Sequence, residues 1–325
     1  MKLKALSLCL LLMLGTITGC GDQQTAEISQ SDSVPQGIIK KGTIGVDIVE
    51  VTPFVFNDQL YRVEWLRSGG YLRIMNHDTG QEVSQFGTNH AFPCAYVENG
   101  TVYVVGTKLE HVGGGNTLTM FTSNDLINWS EQIIFSNPDY VIDNTSLTKT
   151  NDGYVMSIEV NYFSKDPPAS FAARFLKSKD LKTWSLLPRE YRHGYDRYTA
   201  PHCLRWANGW YYLFYLEAGK PTGFEQYVTR SQDLINWEYS PLNPVLANSP
   251  EDRFIYNSAL TPQQRSIINE AADTNNSDID FTFFNDRLII NYSWGDQLVT
   301  GHLAEAEYSG TEAAFLEGWF PLVTR

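Results

Sequence analysis

Short apolar runs and polar turn residues alternate along this chain in a repeating order. Five times a short apolar strand, as at residues 92–98 or 202–206, leads to a two-residue turn signal and then to an aromatic or β-branched strand. Asn-Gly and Asp-Gly signals tolerate the left-handed backbone of tight hairpins. The pattern predicts five antiparallel units that begin near residues 49, 91, 143, 199 and 278. Their turns are Asn57-Asp58, Asn99-Gly100, Asp152-Gly153, Asn208-Gly209 and Asn285-Asp286.

A second repeat lies within three of these units. Ser-x-Asp-Leu-x-x-Trp occurs at residues 123–129, 178–184 and 231–237, and its tryptophans are 55 and 53 residues apart. Serine and aspartate side chains bond nearby backbone N–H groups in turns. A fixed period with several strands per repeat is typical of a propeller. We therefore predict an all-β fold, a five-bladed β-propeller with mostly four-stranded antiparallel blades. A six-bladed propeller or a sandwich would leave the five turns unexplained, and only a short helix at residues 266–272 is expected.

The first 36 residues have the pattern of a targeting segment and a tether. Lys2 and Lys4 precede an apolar run that is too short to span a bilayer. Residues 17–20, Ile-Thr-Gly-Cys, resemble a bacterial lipoprotein cleavage box; the alternative is an ordinary cleaved signal peptide. We expect a signal peptide at 1–19, a lipidated (palmitate-bearing) Cys20 with a flexible tether at 20–36, and a propeller at 37–325. The expected location is the bacterial cell envelope, at the periplasmic face or the outer membrane.

The charge of the chain restricts its partners. Without the signal segment there are 22 basic and 37 acidic residues. Because binding to phosphate backbones needs a cationic surface, nucleic acid is not an expected partner. Cys94 and Cys203 lie outside any Cys-x-x-Cys spacing, so the sequence predicts no metal ligands. We expect a monomer that contacts the membrane only through its lipid.

Several acidic residues fall at equivalent positions of the predicted blades. Counting from each hairpin turn places them on one face, where the first two strands of each blade approach the propeller axis. Burying a charge is costly unless it is paired, so acids in such apolar strands indicate a function. The alternative is that they pair with arginines or cap backbone N–H groups. The acids are Glu50, Glu64, Asp143, Glu159, Glu217, Asp278 and Asp280.

Paired carboxylates are the groups that glycoside hydrolysis requires. One acid protonates the leaving oxygen while another activates water or attacks the anomeric carbon. Crowded carboxylates also raise one another's pKa, which keeps the acid protonated. Hydrogen-bond donors for sugar hydroxyls are expected from Arg73, His90, Arg197 and His202, although the two histidines also suit purely structural roles.

The Ser-x-Asp-Leu-x-x-Trp turns, the strand at residues 208–215 and the blade count resemble the five-bladed propeller glycoside hydrolases of families 43, 32 and 130. The resemblance covers residues 49–310 and implies three axial acids. Glu159 best matches the general acid, and Asp143 or Asp278 the pKa-tuning acid or the base. Family 43 opens its first blade with Asp-Pro, where this chain has Glu50-Val51-Thr52-Pro53. Residues 276–280 and 292–297 resemble a signature of propeller hydrolases, which adds Trp294 to the expected substrate contacts.

The sequence thus predicts a lipid-anchored glycosidase that acts on oligosaccharides or polysaccharides by carboxylate acid/base catalysis. No cofactor is required, although converging oxygen ligands would suit a structural Ca²⁺ or Na⁺ in the axial channel. One alternative is a non-catalytic glycan-binding propeller lipoprotein that uses the same pocket. Another is a propeller scaffold for protein partners.

Overall fold

The chain folds as a five-bladed β-propeller, as the repeats predict. The computed structural model describes residues 37–110, 114–161, 163–164, 171–218, 223–296 and 300–321. No helix in these ranges is long and apolar enough to cross a membrane. Cys20 and the predicted signal and tether segments lie outside the described residues.

Each blade is an antiparallel sheet whose first strand is innermost. Blades I and II are simple four-stranded meanders. Blade I contains β2 (Val51–Phe56), β3 (Gln59–Leu66), β4 (Tyr71–Asn76) and β5 (Glu82–Phe86). Blade II contains β6 (His90–Glu98), β7 (Thr101–Lys108), β8 (Thr117–Ser123) and β9 (Ser130–Ser136).

Blades III and IV keep this order with shorter outer strands. The outer edge of blade III is divided between two short strands that both pair with β12. Blade III contains β10 (Ile142–Thr150), β11 (Gly153–Val160), β12 (Ala172–Ser178), β13 (Trp184–Leu186) and β14 (Arg192–His193). Blade IV contains β15 (Ala200–Ala207), β16 (Trp210–Ala218), β17 (Phe224–Ser231) and β18 (Glu238–Tyr239).

Blade V joins the two ends of the propeller. Its inner strands are β19 (Asn275–Phe284), β20 (Arg287–Gly295) and β21 (Gly301–Tyr308). The outer strand is β1 (Ile38–Val46), which pairs antiparallel with β21 from Ile38 opposite Tyr308 to Val46 opposite His302. This pairing closes the ring and removes a free sheet edge. The sequence pattern did not predict β1, because the pattern begins at the first hairpin.

The five predicted hairpin turns are confirmed. Asn57, Asn99, Asn208 and Asn285 each have φ near 50°, in the left-handed region that asparagine tolerates. The remaining turn, in blade III, uses Gly153, with φ 117°. Each turn directly joins the first and second strands of its blade, so it fixes which residues reach the axis.

The three Ser-x-Asp-Leu-x-x-Trp phrases form equivalent turns on the outer edges of blades II, III and IV. In blade II the Ser123 hydroxyl accepts hydrogen bonds from the backbone N–H groups of Asp125 and Leu126, and the Asp125 carboxylate accepts those of Ile127 and Asn128. The tryptophans of the first and third turns then reach the preceding blade. Trp129 donates to Ser84 Oγ in blade I, and Trp237 donates to the Arg192 carbonyl in blade III. The repeat therefore fixes neighbouring blades to one another.

The insertion between blades IV and V and the C-terminal helix complete the core. α1 (Pro262–Glu270) confirms the predicted helix but begins four residues earlier, where Thr261 forms a capping box with Gln264. A 3₁₀ helix at Pro250–Arg253 precedes α1. The sequence did not predict α2 (Glu312–Gly318), which buries Phe315 against Phe281 and Phe214.

Candidate functional site

Irregularities in the innermost strands turn side chains towards the propeller axis. The pairing of first and second strands shifts register at 91–94 in blade II, 142–145 in blade III, 201–203 in blade IV and 277–280 in blade V. Such bulges re-aim side chains and are frequent beside active sites. They place Asp143, His202 and Asp278 in equivalent positions. In blade I, Glu50 occupies the corresponding place just before β2.

Four carboxylates from three blades come together here: Glu50, Asp143, Glu159 and Asp278. We call them the axial carboxylate cluster. The charges of Asp278 and Asp143 both raise the pKa of Glu50, and those of Asp143, Asp278 and Glu50 raise the pKa of Glu159. None of the four is paired with a lysine or arginine within the described part of the chain. Residues that are 16–228 positions apart in sequence thus share one electrostatic site.

Two asparagine amides hold the blade III carboxylates. Asn161 Nδ2 donates to both oxygens of Asp143, at 3.1 Å each. Asn144 Nδ2 donates to Glu159 Oε2 at 2.8 Å. Gly114 has φ +154°, and a Cβ at this position would lie 2.5 Å from Asp143 Oδ1. A residue larger than glycine would therefore displace the Asp143 carboxylate.

Burial makes Glu50, Asp143 and Glu159 retain their protons to unusually high pH. Burial is the main cause that raises the pKa of Glu50 to about 8, followed by repulsion from Asp278. Burial also raises the pKa of Asp143 to about 8, against the opposing effect of the Asn161 hydrogen bond. Burial and then repulsion from Asp143 hold the pKa of Glu159 well above its ordinary value. A buried carboxyl group that stays protonated near neutral pH can serve as a general acid.

The backbone is strained at two members of the cluster. Glu50 has φ 56° and Asp278 has φ 54°, in a region that residues other than glycine seldom occupy. Such strain costs about 1–3 kcal/mol and concentrates at functional sites. Asp278 accepts a hydrogen bond from Ser277 Oγ at 2.7 Å, and its Oδ1 lies 3.6 Å from His202 Nδ1. With a side chain 15% exposed, Asp278 is partly open to solvent.

The raised pKa values predict how stability depends on pH. Glu50 and Asp143 titrate near 8 in the folded chain and near 4 when unfolded, so the folded state binds more protons between these limits. Their contribution to stability is fully present below about pH 4 and is lost as pH rises through about 8. Glu50→Gln should therefore raise the free energy of unfolding at pH 8 by at least about 1.4 kcal/mol more than at pH 5, since one pKa unit corresponds to that energy. Urea denaturation at both pH values measures the difference, and equal gains would contradict the expectation.

Glu64 occupies the same position in blade I as Glu159 in blade III, but its surroundings differ. On β4 the residue opposite Glu64 is Arg73, whose guanidinium lies 2.7 Å from the carboxylate, and Arg62 contacts the other oxygen. On β12 the residue opposite Glu159 is Ala173. A cation on the neighbouring strand thus neutralises Glu64, whereas Glu159 has no cation opposite it. We assign Glu64 and Arg73 to a structural ion pair, and neither residue belongs to the proposed site.

Two further predicted acids are also paired with arginines. Asp280 binds Arg205 and accepts hydrogen bonds from Thr52 Oγ1 and from the backbone N–H of Phe281. These contacts connect blades I, IV and V. Glu217, at the end of β16, pairs with Arg197 at 3.0 Å. We assign Asp280 a structural role, whereas Glu217, near the end of β16, and Arg197, in the loop before β15, are both partly exposed.

Two predicted sugar contacts lie within the packing of the blades. His90 is positioned between the Thr88 carbonyl and Thr119 Oγ1, with its ring edge-on to Phe121. Trp294 is fully buried and donates its indole N–H to Thr43 Oγ1 at 2.9 Å. Their surroundings support structural roles. His202 remains in the proposed site because of its position beside Asp278.

The axial acids do not form a metal-ligand set. Within the described ranges, no group of three or more His, Cys, Asp or Glu side chains is arranged to hold a metal ion. The Asp143 carboxylate is instead occupied by an amide donor, and burial favours the protonated form of its neighbours. We therefore derive no chemical step through a cation, and the axial Ca²⁺ or Na⁺ stays a prediction.

Comparison with known proteins reveals a likeness of fold. The fold is that of the five-bladed propeller glycoside hydrolases. Xylan β-1,4-xylosidase from Bacillus halodurans C-125 is 16% identical with a TM-score of 0.56, over 86% of this chain and 55% of the xylosidase. The GH43 endo-arabinanase from Bacillus licheniformis is 12% identical with a TM-score of 0.54, over 82% and 96%. A glycosyl hydrolase from Bacteroides ovatus is 10% identical with a TM-score of 0.51, over 88% and 93%.

These identities show the fold alone. This chain spans about half of the xylosidase and nearly all of the other two structures. The resemblance predicted from the repeats is confirmed at this level. No family model and no curated protein matches the chain.

Sequence reasoning did not single out Asn144 and Asn161, which orient the blade III acids. Asn144 follows Asp143 directly, and Asn161 is the first residue after β11. A search for amide side chains flanking the predicted axial acids would have found both.

Proposed function

We propose that this protein is a glycoside hydrolase that cleaves O-glycosidic bonds in the axial carboxylate cluster. The observation that carries the proposal is the convergence of four carboxyl groups, three of them buried, that have no lysine or arginine partner in the described ranges. Burying such groups is costly, so their retention calls for a role that structural pairing does not supply. The fold shared with glycoside hydrolases supports the same conclusion.

Glu159 is the proposed general acid. Its Oε2 accepts a hydrogen bond from Asn144, which leaves Oε1 to carry the proton. Burial and the neighbouring Asp143 raise its pKa, so it can hold this proton at neutral pH. In the reaction Glu159 donates the proton to the glycosidic oxygen as the bond to the anomeric carbon breaks.

Asp278 is the proposed base or nucleophile. It is more exposed than Glu159, the Ser277 hydroxyl orients its carboxylate, and His202 Nδ1 lies 3.6 Å away. It would either remove a proton from the attacking water or bond directly to the anomeric carbon. Burial keeps the general acid protonated, and any of Asp143, Asp278 and Glu50 that is ionised adds to this effect, because a negative charge nearby disfavours ionisation of Glu159.

A neutral glycan is the proposed substrate class. The cluster and the net acidic charge of the chain both repel anionic sugars. Oligosaccharides from xylan and arabinan are the first substrates to test, since two proteins of the same fold are named as a xylosidase and an arabinanase. Hydrolysis would proceed without an organic cofactor.

We further propose that the enzyme is anchored to the bacterial envelope by a lipid on Cys20. The cleavage box at residues 17–20 and the polar tether that follows support this proposal. Cys20→Ser should move the protein from the membrane fraction to the soluble fraction on cell fractionation. Retention of the variant in the membrane fraction would refute the anchor.

The test of the proposed activity is a screen of aryl glycosides and neutral oligosaccharides with the purified protein. Wild-type protein should release reducing sugar from oligosaccharides, and Glu159→Gln and Asp278→Asn should release it at least about 100-fold more slowly. Sugar binding without turnover in any form would instead support the non-catalytic glycan-binding alternative. Full activity in Glu159→Gln would show that another group is the acid.

A further inference from the structure

A second hollow lies at the rim of the propeller, away from the axial carboxylate cluster. It has a volume of about 560 Å³ and is formed by β14 and the following loop of blade III together with the outer hairpin of blade IV. We call it the rim groove. Its lining includes Arg192, His193, Tyr195, Asp196, Trp237 and Tyr239. None of the four axial acids lines it.

Aromatic side chains form much of the groove. Tyr239 is 47% exposed, although it lies in a strand beside the half-buried Trp237. Arginines fix two of the rings: the Arg192 guanidinium lies 4.4 Å from the Tyr195 ring centre, and that of Arg197 lies 5.2 Å from the Tyr239 ring centre. Rings with one apolar face and polar neighbours suit ligands that are themselves amphipathic.

His193 is a buried polar group at this groove that lacks a partner. It is 3% exposed, and neither ring nitrogen has a hydrogen-bond partner in the described part of the chain. Its ring lies edge-on to Tyr215 at 4.9 Å and to Trp237 at 5.2 Å. Leaving such a group unsatisfied costs about 1–3 kcal/mol, and native structures contain few examples. Both nitrogens are shielded from solvent, so a ligand hydroxyl in the groove would reach them once a neighbouring side chain moves aside.

The chemistry of His193 and of the groove favours a neutral, hydroxyl-rich ligand. Burial lowers the pKa of His193 to about 3, so the imidazole is neutral and offers one donor and one acceptor. Charges of both signs surround it: Arg192 and Arg197 are positive, and Glu190 and Asp196 are negative. An anionic or cationic ligand would meet repulsion as well as attraction.

The corresponding hollows at the other two Ser-x-Asp-Leu-x-x-Trp turns are different. The hollow in blade II is lined mainly by Thr, Ser, Asn and Asp side chains together with Tyr103 and Trp129 but by no histidine, and the one in blade III by Lys, Ser, Thr and Asp. In blade II Phe86 stacks on Trp129 with ring centres 4.0 Å apart, and in blade IV Phe175 stacks on Trp237 at the longer distance of 5.8 Å. Only the blade IV turn, among these three, combines exposed aromatic rings with an unsatisfied histidine.

We propose that the rim groove is a second saccharide-binding site, which holds a neutral sugar unit against Tyr239 and Trp237 with hydrogen bonds to His193 and Asp196. The site does not depend on catalysis in the axial cluster. It would keep a polymeric glycan on the propeller while the axial cluster acts on another part of the glycan.

The test follows the indole N–H signals of the tryptophans by NMR during titration with xylohexaose and arabinohexaose. The Glu159→Gln protein is the background, so that turnover does not consume the ligand. At least one hexasaccharide should shift the Trp237 signal in a saturable manner. Tyr239→Ala should weaken that binding about tenfold, whereas Tyr256→Ala, which removes a comparably exposed tyrosine elsewhere, should leave it unchanged.

The outcomes separate this proposal from the proposed hydrolysis. A Trp237 shift in a protein that hydrolyses nothing would support the groove and refute the enzyme. Hydrolysis without any Trp237 shift, or a shift that survives Tyr239→Ala at full affinity, would overturn the groove. The Trp294 and Trp319 signals come from fully buried rings and report whether each variant is folded.

Discussion

Glu159→Gln is expected to lower kcat by a factor of about 10² to 10⁴, the usual contribution of a positioned general acid. Glutamine keeps the shape of the side chain and can still accept the hydrogen bond from Asn144, but it has no acidic proton. The fold should therefore persist while the leaving oxygen loses its proton donor. Aryl glycosides with good leaving groups should lose less activity than oligosaccharides, because they need less protonation.

Glu217→Gln is the matched control for this prediction. Glu217 also lies near the end of a second strand, but it pairs with Arg197 and is partly exposed. This variant should keep a kcat close to that of wild type. Equal losses in both variants would indicate a general effect on the propeller, and no loss in Glu159→Gln would remove Glu159 from the mechanism.

Asp280→Ala is expected to lower the free energy of unfolding by about 3–5 kcal/mol, the usual effect of removing one partner from a buried ion pair. Asp280 is almost fully buried, and its loss would leave Arg205 with only the more distant Glu312 carboxylate, at 3.7 Å, and Thr52 with only the Pro93 carbonyl, at 3.5 Å. Because these contacts join three blades, the whole ring should weaken. Urea denaturation with an unchanged m-value would measure the loss.

Glu238→Ala is the control for Asp280→Ala. Glu238 pairs with Arg230 in a similar geometry, but its side chain is 53% exposed. Exposed pairs contribute about 0–1 kcal/mol, so this variant should remain close to wild type. If Asp280→Ala kept full stability yet lost sugar binding, the original prediction of a substrate contact would be favoured over the structural role.

The contrast between Glu64 and Glu159 shows why the sequence located the axial acids but did not sort them. Both lie at the same distance after a hairpin turn, so both were predicted to face the same site. Their roles differ because the neighbouring third strand provides Arg73 in one blade and Ala173 in the other. That pairing depends on the register of β4 and β12, which the turn positions do not specify.

The two helices and β1, the strand that closes the ring, also show which elements a local sequence pattern can predict. α1 carries its own capping signals and was predicted approximately, whereas α2 and β1 depend on partners far away in sequence. β1 has a regular strand conformation, and its position in blade V is determined by its pairing with the edge of β21. The sequence pattern contained no local signal for this pairing.

By itself the sequence determined the number of blades, the five hairpins and which acids lie near their axial ends, because turn chemistry and strand alternation are local properties. Only the tertiary structure decided which of those acids meet an arginine and which remain crowded together, because that depends on neighbours across strands and blades. The partner of each buried charge, rather than its place along the chain, separates Glu159 and Asp278 from Glu64 and Asp280.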